Sequence, residues 1–120
     1  MSDSLPQDRE SLDQLRVLEQ ENPGLMKDII RLFVADAPKQ MRLIDGAYRQ
    51  RDPEGLRQSA HFLRSGALAL GLVWLAECAN FLEHLPLDDY GSPKSDHGVK
   101  HLHTELHQVL LLLLHDLKSL

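Results

Sequence analysis

Apolar residues recur along this chain at intervals of three and four, the period of helices that each bury one face. Leu12, Leu15 and Leu18 share a face of a first segment from about Asp8 to Glu21, short enough to pack as an appendage. Asn22-Pro23 reads as an N-cap followed by proline at the first helical position. Met26, Ile30, Phe33, Ala37, Met41, Ile44 and Tyr48 then mark a long second helix. Pro38 sits inside it, where the ring removes a hydrogen bond and presses on the carbonyl of Val34, so the sequence predicts a kink or break between Val34 and Pro38. Asp52-Pro53 repeats the cap-and-proline signature. The stripe Leu56, Ala60, Leu63, Ala67, Leu70 gives a third helix ending at Gly71, a natural left-handed terminus. A fourth helix, about Leu72 to Leu85, buries Leu75, Ala79 and Leu82 and stops at Pro86. The polar stretch Leu87 to His97 predicts an exposed loop. A last helix, about Gly98 to Lys118, carries Leu102, Leu106, Val109, Leu110, Leu113 and Leu117.

The expected fold is therefore all-α, an antiparallel four-helix bundle with a short extra N-terminal helix, in one domain over residues 1–120 with about 1–7 as a flexible N-terminus. Composition supports it: 25 leucines stand against six aromatic residues, which supplies helices far better than strands. At 120 residues and 42% hydrophobic content the chain can bury a core without disulfide or metal staples. With 13 basic and 18 acidic residues the net charge is -5, which argues against a nucleic-acid partner. The longest apolar run, Val109 to Leu114, is far short of the about 20 residues a membrane span needs. The single cysteine, Cys78, and an N-terminus without the charged-then-apolar run of a signal peptide fit a reducing cytoplasm.

Charge and periodicity together single out His61. At 100° per residue it lies about 140° from Leu56 and about 160° from Leu63, which turns it to solvent. Arg57, Arg64, Ser65 and Leu68 are its neighbours on that face. An exposed neutral imidazole beside a guanidinium and a small side chain suits a phosphoryl acceptor: the ring nitrogen attacks and the guanidinium holds phosphate oxygens.

The stretch Ala60-His61-Phe62-Leu63-Arg64-Ser65-Gly66-Ala67, followed by Leu70-Gly71, Cys78 and Leu82-Glu83, resembles the histidine-containing phosphotransfer (HPt) domain. That family's pattern is Ala-His-x-Leu-Lys-Gly-Ser-(Ser/Ala), then Leu/Ile-Gly, then Leu-Glu/Gln on the next helix. Phe33-Val34-Ala35-Asp36-Ala37-Pro38 matches a recurrent segment of the preceding helix, so the resemblance covers about Leu12 to Glu83. Two departures stand out. Arg64 replaces the usual lysine, which keeps the charge and adds bidentate reach. Ser65-Gly66 replaces Gly-Ser, and serine is small enough to preserve access.

The resemblance implies a phosphorelay intermediate that takes a phosphoryl group on His61 from a receiver-domain aspartate and passes it to a second response-regulator receiver. It implies that Glu83 accepts the Nδ1 proton of His61, leaving Nε2 as the nucleophile. Ser65, Gly66 and Gly71 would then serve access and helix shape, and Arg57 and Leu68 partner binding. The expected partners are receiver domains and a hybrid sensor histidine kinase, of which this chain could be the C-terminal part. No autokinase activity, no nucleotide and no resident metal are expected, the magnesium belonging to the receiver. The competing reading is an HPt-like interaction domain that regulates a partner by binding without phosphotransfer.

Other chemistry-bearing residues have plainer readings. His97, His101, His103 and His107 form two i, i+4 pairs, a spacing that can hold zinc or copper, but no cysteine or carboxylate cluster completes them and they read as solvated. Cys78 lies among apolar residues and reads as an inert thiol. Leu111 and Leu112 fall off the buried stripe and are both expected at the surface.

Overall fold

The computed structural model describes residues 16, 17 and 19–119. Its principal helices are α1 (Leu25–Arg49), α2 (Pro53–Ala69), α3 (Val73–Glu83) and α4 (Pro93–Ser119), with a 3-10 turn at Leu87–Asp89 before α4. Residues 16, 17 and 19–21 are also helical. The rest of the expected first helix and the expected flexible N-terminus lie outside the described residues.

The caps show how the sequence sets these boundaries. Asp52 caps α2 by accepting the Gly55 N–H at 3.1 Å, with Pro53 at the first helical position. At the other end of α2 the Leu72 N–H reaches the Ala67 carbonyl at 2.8 Å and the Gly71 N–H reaches Leu68 at 3.0 Å. This closing pattern demands a left-handed residue, and Gly71 supplies it at φ 71°. The same pattern ends α1, with Asp52 N–H to Ala47 at 2.9 Å and Arg51 N–H to Tyr48 at 3.2 Å. There the left-handed residue is Arg51 at φ 54°.

Three boundaries differ from expectation. The N-cap of α1 is Gly24, at φ 93°, and not Asn22. The anticipated side-chain cap is replaced by Glu19, whose carboxylate accepts the Gly24 N–H at 2.9 Å and the Met26 N–H at 3.4 Å. An anion here satisfies orphan amides and complements the helix dipole. Pro38 does not break α1, which runs unbroken through it; Phe33, Ala37 and Met41 are buried on both sides of the ring, so core contacts outweigh the lost bond.

The third difference is the expected loop over 87–97. It is neither uniformly exposed nor a loop throughout, because α4 starts at Pro93 and Tyr90 and Ser95 are buried. Tyr90 stacks on Tyr48 with ring centroids 5.4 Å apart. The Tyr48 hydroxyl donates to Asp96 Oδ1 at 2.6 Å and accepts the Gly91 N–H at 2.9 Å. The segment is thus folded onto the end of α1.

Each helix packs against the next, and α4 closes the ring against α1. Pairings such as Phe33 with Gly66, Phe81 with Gly98 and Asp45 with His103 fit neighbouring helices of the ring running antiparallel. The expected stripes meet in one core: Ile44, Leu56, Leu63, Leu75, Leu82, Leu102 and Leu113 are each fully buried. Leu111 is exposed as expected, but Leu112 is half-buried against the core. No helix among the described residues is long and apolar enough to cross a membrane.

Candidate functional site

α2 presents His61 outward because its apolar residues are committed to the core on the opposite side. The His61 side chain is 57% exposed, whereas Leu63 and Ala60 beside it are buried. Close packing of α2 against α3 brings Glu83, from the last turn of α3, under the ring. Glu83 Oε2 lies 3.1 Å from His61 Nδ1. Arg64, one turn after His61, donates from Nε to Glu83 Oε1 at 2.7 Å and places Nη2 3.4 Å from Oε2. The same Nη2 lies 3.1 Å from His61 Nδ1. His61, Arg64 and Glu83 are therefore one connected group, 22 residues wide in sequence and a few ångströms wide in space.

The carboxylate is the least exposed member, its side chain only 11% exposed. Burial by itself would raise its pKa, but hydrogen bonds from Arg64 and His61 outweigh that and hold it below the usual carboxylate value. Glu83 is thus ionised at neutral pH and suited to stabilise positive charge on the imidazole. The contacts at Nδ1 leave Nε2 uncommitted among the described residues.

The other residues singled out by sequence divide by position. Ser65 is exposed beside the ring. Gly66 faces the other flank of α2, where an added Cβ would sit 3.1 Å from the Phe33 ring, so it serves the approach of α1 to α2. Gly71 shapes the helix end. Arg57 is exposed, with its guanidinium 2.6 Å from Glu54. Leu68, about 20° from His61 on the helical wheel, is 44% exposed.

Sequence reasoning missed a groove of about 170 Å³ between α1 and α2, lined by Ile29, Leu32, Phe33, Phe62 and Gly66 among others. Phe62 and Leu32 are both mostly exposed. The signal was available: Phe62 adjoins His61 and, like it, falls off the buried stripe.

Away from this site, Cys78 is half-buried and burial pushes its thiol pKa up, with the Glu105 and Glu77 carboxylates adding to the shift. Among the described residues no three or more His, Cys, Asp or Glu side chains gather as a metal-ligand set. His97 and His101 stack at 6.0 Å. His103 is not merely solvated: its Nε2 lies 2.8 Å from Asp45 on α1, which crosses the helix pair.

Four antiparallel helices thus close a ring, and α2 turns His61 outward with its inner nitrogen against a largely buried carboxylate. The Hpt domain family model matches residues 28–112, and the chain belongs to that family. It is similar to the phosphorelay intermediate protein YPD1 of Candida albicans, 28% identical over 60 residues. That match takes in 50% of this chain and only 33% of the relative. Its fold is that of histidine-containing phosphotransfer protein B from Pseudomonas aeruginosa PAO1, at a TM-score of 0.80 and 21% identity over 98% of this chain and 99% of that one.

Proposed function

We propose that this chain is a phosphorelay intermediate whose phosphoryl acceptor is Nε2 of His61. The observation that carries the reading is the 3.1 Å contact of His61 Nδ1 with ionised Glu83, on a ring whose other nitrogen is open to solvent. With the proton on Nδ1, the Nε2 lone pair attacks the phosphorus of a receiver's aspartyl phosphate. The P–Nε2 bond forms as the P–O bond to the aspartyl group breaks, and the aspartate leaves as a carboxylate. The ring retains its Nδ1 proton and becomes cationic, and Glu83 stabilises that charge. The reverse step delivers the group to a second receiver.

Arg64 is assigned to the phosphoryl oxygens by charge-assisted hydrogen bonds, and Ser65 to keeping the approach to Nε2 open. The receiver covers the site, since water must be kept from the transferring group, and in doing so it meets Leu68 and Phe62. Arg57 at the rim favours encounter with an acidic receiver pocket. Magnesium is assigned to the receiver, and a hybrid sensor kinase is the upstream source of phosphoryl groups.

The test is label transfer from a panel of phosphorylated receivers. His61→Gln should retain the helical circular dichroism spectrum and lose all label. Label persisting in that variant, on another histidine, would overturn the assignment. Tight receiver binding without any label on the parent protein would instead favour a regulatory binding domain.

A further inference from the structure

Two groups compete for one nitrogen at this site. Glu83 Oε2 and Arg64 Nη2 both lie 3.1 Å from His61 Nδ1. A neutral imidazole carries a single proton, so Nδ1 either donates to the carboxylate or accepts from the guanidinium, never both. If Nδ1 is the donor, Nε2 keeps a lone pair and is a nucleophile. If Nδ1 is the acceptor, the proton sits on Nε2 and the solvent-facing nitrogen cannot attack.

Arg64 is unusually placed to enforce the second arrangement. Its Nε is anchored on Glu83 Oε1 at 2.7 Å, which leaves Nη2 pointing at the ring with little rotational freedom. The anchoring also neutralises Glu83 in part and makes it a poorer acceptor for an Nδ1 proton. A lysine at this position could not do the same, because a single ammonium nitrogen on a flexible stem is not held in a fixed fork between the two partners.

We propose that Arg64 is a tautomer gate: in the resting protein it holds His61 with its proton on Nε2, and an approaching phosphoryl group releases the ring by drawing Nη2 away from Nδ1. On release the Nε2 proton passes to water, a proton from water is taken up at Nδ1, and the resulting Nδ1–H donates a hydrogen bond to Glu83. The nucleophile is thereby armed when an anion is present, and the unoccupied site stays unreactive toward other electrophiles. The gate takes its purpose from the phosphorelay reading, but its test does not depend on transfer.

Nitrogen-15 NMR of the histidine ring, at a pH where the ring is seen to be neutral, reads the tautomer directly. The parent should show a substantial Nε2–H population. Arg64→Lys and Arg64→Ala, each checked for folding by circular dichroism, should shift the ratio about tenfold toward Nδ1–H. Because the gate guards the unoccupied site, Arg64→Lys should also label at His61 with diethyl pyrocarbonate, a neutral electrophile, about threefold faster than the parent. A tautomer ratio that both variants leave within about twofold of the parent, or a shifted ratio in Arg64→Lys with no faster labelling, would overturn the gate. If the ratio shifts and labelling quickens but no receiver exchanges phosphoryl groups with the parent, the gate stands and the phosphorelay reading fails.

Discussion

In the proposed reaction more rests on Glu83 than on any other single neighbour of His61. Its folded pKa is depressed, so the folded state favours the ionised form. Its contribution to stability is therefore fully present above its ordinary value of 4.5 and is lost as pH falls through the lower folded value. Glu83→Gln keeps the shape and an acceptor oxygen but removes the charge. It should flatten the acid limb of a denaturation-midpoint-against-pH curve, and an acid limb as steep as the parent's would show that the ion pair contributes nothing. Glu83→Ala, which removes the acceptor altogether, should slow phosphoramidate labelling of His61 by about 10- to 100-fold, the usual cost of losing a group that orients a reactive imidazole. Labelling at the parent rate would remove the positioning role.

Helix ends divide this chain into elements more sharply than helix interiors do. The ends of α1 and α2 close by the same backbone pattern, one on Arg51 and the other on Gly71, both left-handed. A side chain in that conformation costs about 1–2 kcal/mol, offset in part by the greater chain entropy that glycine loses on folding. Gly71→Ala should therefore destabilise by about 1 kcal/mol or more, the more so because Gly71 is buried. Arg51→Gly should stabilise by up to about 1 kcal/mol. Urea midpoints check both, and a Gly71→Ala variant as stable as the parent together with an Arg51→Gly variant no more stable than the parent would mean that cap geometry is not what sets these two helix ends. The start of α4 was less legible. Ser92-Pro93 is the same cap-and-proline dipeptide as Asp52-Pro53, and Ser92 does cap α4, accepting the Ser95 N–H at 3.1 Å. Its surroundings of Asp, Gly and Lys mask the signal, since polar composition alone does not separate a loop from the exposed first turn of a helix.

Over the whole molecule, α2 carries His61 on a crest between two flanks. On one flank lies the charged group with Glu83, and on the other the apolar groove with Phe62 and Leu32. A partner that buries His61 covers both. Leu68→Glu should weaken receiver binding about tenfold or more while leaving phosphoramidate labelling of His61 intact. Phe62→Ala should act in the same direction. Unchanged receiver affinity in both folded variants would move the docking surface elsewhere. Leu68 is 44% exposed and Phe62 56%, so neither substitution should cost the core its packing.

What the sequence determined by itself was local: helical periods, the Asp52-Pro53 start, the Gly71 stop, and the outward face of His61. Each depends on interactions within about one helical turn, which spacing and residue type express directly. The resemblance pointed to Glu83, but only the packing of α2 against α3 brought it to 3.1 Å from Nδ1 and put Arg64 on both partners at once. Tertiary contacts likewise carried α1 unbroken through Pro38, folded Tyr90 onto Tyr48, and joined His103 to Asp45. Those outcomes depend on which distant residues share the space around a side chain. Burial of a common core settles that, because the free energy of a few buried contacts exceeds the local preference of any one residue.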